Sequence, residues 1–145
     1  MKFAPQTATI FTFLLLSAGA APASASDPPY AKSLEKGERS IKRQDYSSAV
    51  TYFTQVLKEN PNVYEAYLGR ASARAQLGDS KGALKDYDAA IKANPNVTDI
   101  YLQRGALQAH LGQKDAAVRD YGEVLLLDPK NTDALMLRGQ EPRKR

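Results

Sequence analysis

The chain has 145 residues, 43% hydrophobic and 25% charged, proportions that suit one globular domain. With no cysteine and a single histidine, His110, it excludes disulfide staples, thiolate metal sites, a thiol nucleophile and a multi-histidine metal centre. The net charge of +4 is no nucleic-acid footprint, because the basic surplus is terminal: residues 130–145 carry five basic and two acidic side chains, residues 96–129 three and five.

Residues 1–25, MKFAPQTATIFTFLLLSAGAAPASA, read as a signal peptide. Lys2 gives a positive start, Ile10 to Leu16 an apolar centre, and Ala23-Ser24-Ala25 a small-x-small cleavage site. Ala18-Gly19-Ala20 and Ala21-Pro22-Ala23 are alternative sites. An uncleaved anchor is the competing reading, weakened by Pro22 and the serines. The expected location is therefore the periplasm or the exterior. A cysteine-free exported chain suits a bacterial cell envelope better than a small extracellular eukaryotic domain, which usually relies on disulfides. No membrane span is expected in the mature chain.

Residues 26–29 read as a linker, and from residue 30 the chain repeats itself every 34 residues. Laying 64–97 on 98–131 matches Tyr67 with Tyr101, Leu68 with Leu102, Arg70 with Arg104, Gly78 with Gly112 and Tyr87 with Tyr121. One period earlier, Ala49, Phe53 and Pro61 take the places of Ala83, Tyr87 and Pro95. The copies run over 30–63, 64–97 and 98–131, with a partial copy at 132–140 and a basic tail at 141–145. A period of this length marks a solenoid array.

Within a copy the pattern predicts two helices. Tyr64, Tyr67, Leu68, Ala71 and Ala75 fall on one broad helix face. Gly78 ends that helix, since glycine takes a left-handed cap without strain. Asp79 or Ser80 caps the next, which spans 81–92 with Ala83, Leu84, Tyr87, Ala90 and Ile91 along one side. Asn94-Pro95-Asn96 closes the unit, because proline biases its predecessor away from the helical region. The third copy uses Gly112 and Asp128-Pro129. The first has Gln44-Asp45 where the turn glycine belongs.

These residues resemble the tetratricopeptide repeat, a 34-residue helix–turn–helix unit. Its pattern of aromatic and small residues falls on Tyr67, Ala71, Ala83, Tyr87, Ala90 and Pro95, and again on Tyr101, Gly105, Ala117, Tyr121, Val124 and Pro129. In the first copy Gly37, Ala49, Phe53 and Pro61 carry it, and Ser33 stands where the first aromatic belongs. The resemblance implies an all-α, right-handed α-solenoid of three repeats plus a partial closing helix. The small residues are expected to let paired helices approach closely, with the aromatics filling the space between hairpins.

Arg70 and Arg104 depart from the family's leucine, and each lies 16 residues before an aspartate, Asp86 and Asp120. They read as ion pairs across each hairpin, the alternative being two arginines gripping an anionic ligand. Nothing assembles a catalytic site. His110 has no second histidine, and Asp86 and Asp88, two apart on a helix, point in different directions. Neither enzyme activity nor a metal or cofactor is expected.

The resemblance implies that first helices line an inner groove receiving an extended peptide or a partner helix. The groove positions are Leu34, Glu38 and Ile41 in copy one, Glu65, Leu68, Ser72 and Gln76 in copy two, and Asp99, Leu102, Gln103, Ala106 and His110 in copy three. Leu34, Leu68 and Leu102 would form an apolar floor beside an acidic line of Glu65, Asp99 and Asp133. Those acids also sit in first turns, where a negative charge complements the helix dipole. One family subgroup clamps the carboxylate terminus of heat-shock chaperones with Lys, Asn and Arg. Here the places hold Leu34, Glu38, Gly69, Asp99 and Gln103, so that clamp is absent. The expectation is an exported, non-enzymatic protein- or peptide-binding module that scaffolds an envelope assembly. The alternative is a homo- or hetero-assembly subunit, because Ala134, Leu135, Met136 and Leu137 run consecutively at the end of the array.

Overall fold

A computed structural model describes residues 26–140. The signal peptide and the basic tail expected from the sequence lie outside the described residues. Seven helices follow one another within them, and no strand is present there: α1 Ala31–Lys42, α2 Tyr46–Glu59, α3 Tyr64–Gln76, α4 Ser80–Ala93, α5 Thr98–His110, α6 Lys114–Leu127 and α7 Thr132–Gln140. None is long and apolar enough to cross a membrane. Helices pair as α1–α2, α3–α4 and α5–α6, with α7 lying against α6. The result is the all-helical solenoid that the 34-residue period predicts.

The turns repeat with the sequence. Gly78 and Gly112 hold φ at +84° and +77°, and the N–H groups of Asp79 and Gln113 close back on the carbonyls of Arg74 and Gln108. Asp79, rather than Ser80, caps α4 by accepting from the Gly82 N–H at 2.9 Å. Asp45 does the same for α2 through Ser48, and those bonds hold its carboxyl below the usual carboxylate range. Between copies, Asn60, Asn94 and Asp128 all leave the helix in extended backbone, each just before a proline.

The first copy makes the same turn with Gln44 at φ +60°, the one non-glycine in the left-handed region among the described residues. A side chain there costs about 1–2 kcal/mol, and glycine returns part of that as lost chain entropy. Gln44→Gly should therefore raise the unfolding free energy by about 0.5–1 kcal/mol, read as a higher urea midpoint at unchanged m-value.

Three core clusters form, each centred on the second helix of one hairpin and reaching the first helix of the next, the second and third also taking in the first helix of their own hairpin. Ala49, Phe53 and Val56 of α2 meet Ala66 and Ala73 of α3. Ala83, Tyr87 and Ala90 of α4 meet Ala71 and Ile100. Ala117, Tyr121 and Val124 of α6 meet Tyr101 and Ala134. No hairpin buries its apolar face alone, so each depends on its neighbour.

At Gly37 and Gly105 the missing side chain makes room for an aromatic ring of the paired helix. A Cβ at Gly37 would stand 2.7 Å from the Phe53 ring and one at Gly105 2.6 Å from the Tyr121 ring. The space holds an aromatic edge, not simply a close pair of backbones. Pro61, Pro95 and Pro129 are exposed at the turns. Tyr101 ties its helix to the preceding turn by donating its hydroxyl to the Pro95 carbonyl at 2.9 Å.

Candidate functional site

The first helices stand side by side, α1 next to α3 and α3 next to α5, so their outward positions form one continuous face. Its apolar members are anchored from below. Leu34 and Ile41 pack against the first core cluster, Leu68 against the second and Leu102 against the third, and all four are half-buried. The leucine floor is thus partly core, and only the outer side of each leucine faces solvent. Ser72 is half-buried, while Gln76, Ala106 and His110 are exposed.

At the α5–α7 end this face sinks into a depression of about 310 Å³ lined by Leu102, Gln103, Ala106, Asp133, Met136 and Leu137. The sequence reading placed Met136 and Leu137 only on the exposed end of the array. The period held the missing signal: these two residues stand 34 positions after Leu102 and Gln103.

The acidic residues lie along the same face. Glu65, Asp99 and Asp133 are exposed in the first turns of α3, α5 and α7. Glu38 reaches solvent, but partial burial by its neighbours raises its carboxyl above the usual range; Lys42 opposes this, and the nearby Glu65 and Glu35 add to it. Tyr64 is raised first by burial, then by the charges of Glu65 and Asp99.

Gln103 is fixed from beneath, where the Tyr87 hydroxyl donates to its Oε1 at 3.3 Å. This bond orients the amide so that its Nε2 donors are turned away from Tyr87. Burial pushes the Tyr87 hydroxyl up to about 12. Between pH 10 and 12 the folded chain keeps a proton that the unfolded chain releases, so stability falls as pH rises. The loss over that window is about 2–3 kcal/mol from Tyr87. Tyr64 and Tyr101 are shifted in the same direction. Urea titrations across this range should show the decline, and Tyr87→Phe should make it clearly shallower.

Arg70 and Arg104 belong to the frame rather than to a ligand site. Arg70 forks onto Asp86 with bonds of 2.9 and 2.8 Å and donates to Thr54 of the preceding hairpin at 3.1 Å. Arg74 reaches the same carboxylate at 2.8 Å. Arg104 forks onto Asp120 at 2.8 and 2.6 Å and reaches back to Asp88 at 2.6 Å. Each guanidinium therefore closes its own hairpin and staples it to the one before. With every nitrogen engaged, neither is available to grip an anion. In the first copy, Lys36 lies over the Tyr52 ring at 5.5 Å, a cation–π contact in place of the fork.

Two family models, each described as tetratricopeptide repeat, match residues 34–98 and 98–131. Hsp70-Hsp90 organizing protein 1 of Arabidopsis thaliana is 41% identical over 44 residues, covering 30% of this chain and 8% of that protein. Its namesake in Glycine max is 38% identical over 61 residues, covering 41% and 11%. The chain thus spans about a tenth of the length of these curated relatives. Among solved structures, the first TPR of Spaghetti (RPAP3) bound to the HSP90 peptide SRMEEVD is similar at 29% identity and a TM-score of 0.73, over 77% of this chain and 88% of that one. The second TPR domain of human RPAP3 in complex with the HSP70 peptide SGPTIEEVD is 25% identical with a TM-score of 0.73, over 79% and 97%. The crystal structure of MamA, 20% identical with a TM-score of 0.74 over 79% and 67%, shares the fold.

Proposed function

Because the chain belongs to the tetratricopeptide repeat family, we propose that it is a non-enzymatic, exported binding module whose first-helix groove holds a peptide segment or partner helix within a cell-envelope assembly. The observation that carries this reading is the depression between α5 and α7, where apolar lining from two first-type helices surrounds the exposed Ala106. Solved neighbours whose descriptions name bound peptides support it. Export rests on residues 1–25 alone, and its test is the N-terminal sequence of the mature protein, expected to begin at Ser26.

The test of the groove must leave the core intact. Aspartate at Leu68 or Leu102 would disturb core packing as well as the groove. Ala106→Phe instead fills the depression from an exposed position and changes no charge. A partner captured from envelope extract by the wild-type chain should be lost with Ala106→Phe while the helical circular dichroism is unchanged. Undiminished capture would place the partner elsewhere.

One observation favours a second reading, association through the end of the array. Leu126 is 77% exposed, Met136 60% and Leu135 52%. One repeat earlier, Lys92 occupies the place of Leu126. Solvent-facing apolar residues of this size, grouped at one end, commonly mark an interface. Sedimentation at high micromolar concentration decides it: a monomer removes this reading, and a dimer broken by Leu126→Lys supports it.

A further inference from the structure

The first-helix face carries a line of acidic charge. Four acidic side chains, Glu38, Glu65, Asp99 and Asp133, occupy outward positions on the first helices and are exposed. Lys42 opposes the acids at the α1 end, where it acts on Glu38. The helix dipole accounts for acids in the first turns of α3, α5 and α7 but not for Glu38, which sits two turns into α1. There the acids crowd one another: Glu65 and Glu35 both push the Glu38 proton affinity up. A row of like charges that runs along the first helices and ends with Asp133 on the lining of an apolar hollow is unfavourable in the free protein and is relieved by a cationic ligand.

Resting on the groove reading above, we propose that this site takes an extended segment in which an apolar side chain is flanked by Lys or Arg, and that it turns away acidic peptide tails. The apolar side chain enters the hollow among Leu102, Ala106, Met136 and Leu137. Asp133, on the lining of the same hollow, receives one flanking cation, and Asp99 and Glu65 receive those further along. Gln103, with its Oε1 occupied by the Tyr87 hydroxyl, offers its Nε2 donors to a backbone carbonyl of the segment. This is opposite in sign to a site for the peptide SRMEEVD, to which a solved neighbour is bound. In this chain, Glu38 and Asp99 would face those carboxylates.

The experiment uses the full chain and three fluorescent peptides: one with a central leucine flanked by lysines, the same peptide with glutamines for the lysines, and SRMEEVD. Anisotropy titrations at low salt should give the lysine peptide an affinity at least roughly tenfold above the glutamine peptide, with no saturable binding of SRMEEVD. The advantage should shrink at high salt, as screening of exposed charges requires. Asp99→Lys with Asp133→Lys, both at exposed positions, should abolish the lysine preference without loss of helicity. The proposal is overturned if the lysine peptide does not bind, if SRMEEVD binds as well, or if the double variant keeps the preference. Equal binding of lysine and glutamine peptides, lost in Ala106→Phe, would discard the charge selection and keep the groove. Lysine-peptide binding untouched by Ala106→Phe would discard the groove itself.

Discussion

Arg104→Met should lower the unfolding free energy by about 3–5 kcal/mol, whereas Arg70→Met should cost clearly less. Asp120 is 3% exposed, and both of its carboxylate oxygens are held by Arg104. Those hydrogen bonds, working against burial, keep the guanidinium above its already high usual range, so it stays charged at any working pH. Removing it leaves a carboxylate buried without its fork, the situation in which breaking a buried ion pair is most destabilising. Asp88, 66% exposed on its side chain, returns to water at little cost. At the equivalent place one repeat earlier, Arg74 still reaches Asp86 after Arg70 is lost. In the third copy Gln108 stands where Arg74 would be, so Asp120 has no such second arginine. Urea unfolding of both variants checks the asymmetry, and equal losses would contradict it. The double variant Arg104→Met with Asp120→Leu should recover most of the stability, because replacing both partners by apolar groups removes the orphaned charge.

The same fork shows what the sequence could and could not disclose. The 34-residue period fixes where each helix stops, because a left-handed turn position, an asparagine or aspartate, and a proline return at the same phase and meet the same backbone demand. Even the departure at Gln44 is legible as a position that must turn left-handed without glycine. The spacing of 16 between Arg104 and Asp120 is legible as well. What escaped was the equal spacing backward, to Asp88 and Thr54, which turns a pair within one hairpin into a staple between two. Pairing across hairpins depends on how they stack, and periodicity alone does not state that. The groove divides in the same way. Its positions follow from register, yet how far Leu34, Leu68 and Leu102 face solvent depends on the neighbouring helix. The hollow at Met136 and Leu137 exists only because α7 lies beside α5.

Phe53→Ala should cost about 3–5 kcal/mol, towards the upper end for a buried aromatic, because the helices on either side of the ring present glycines to it. The ring is 1% exposed and is flanked by two glycines, one on α1 and one on α3. A Cβ at Gly37 would stand 2.7 Å from it and one at Gly69 2.4 Å. Where the ring lies against Gly37 and Gly69, no side chain is present to swing into the void. Collapse would require α1 and α3 to shift as backbones, which their packing against α2 opposes. A sign change tests this geometry. In the wild-type chain Gly69→Ala drives a methyl into a ring that Gly37 blocks from the other side, and it should destabilise by about 1–3 kcal/mol. In the Phe53→Ala background the same methyl enters empty space and replaces a helical glycine, so it should stabilise by about 0.5–1 kcal/mol. A double-mutant cycle by urea denaturation measures both legs. If Gly69→Ala has the same sign in the two backgrounds, the ring does not occupy the space between the glycines, and the first hairpin is held to the second by some other contact.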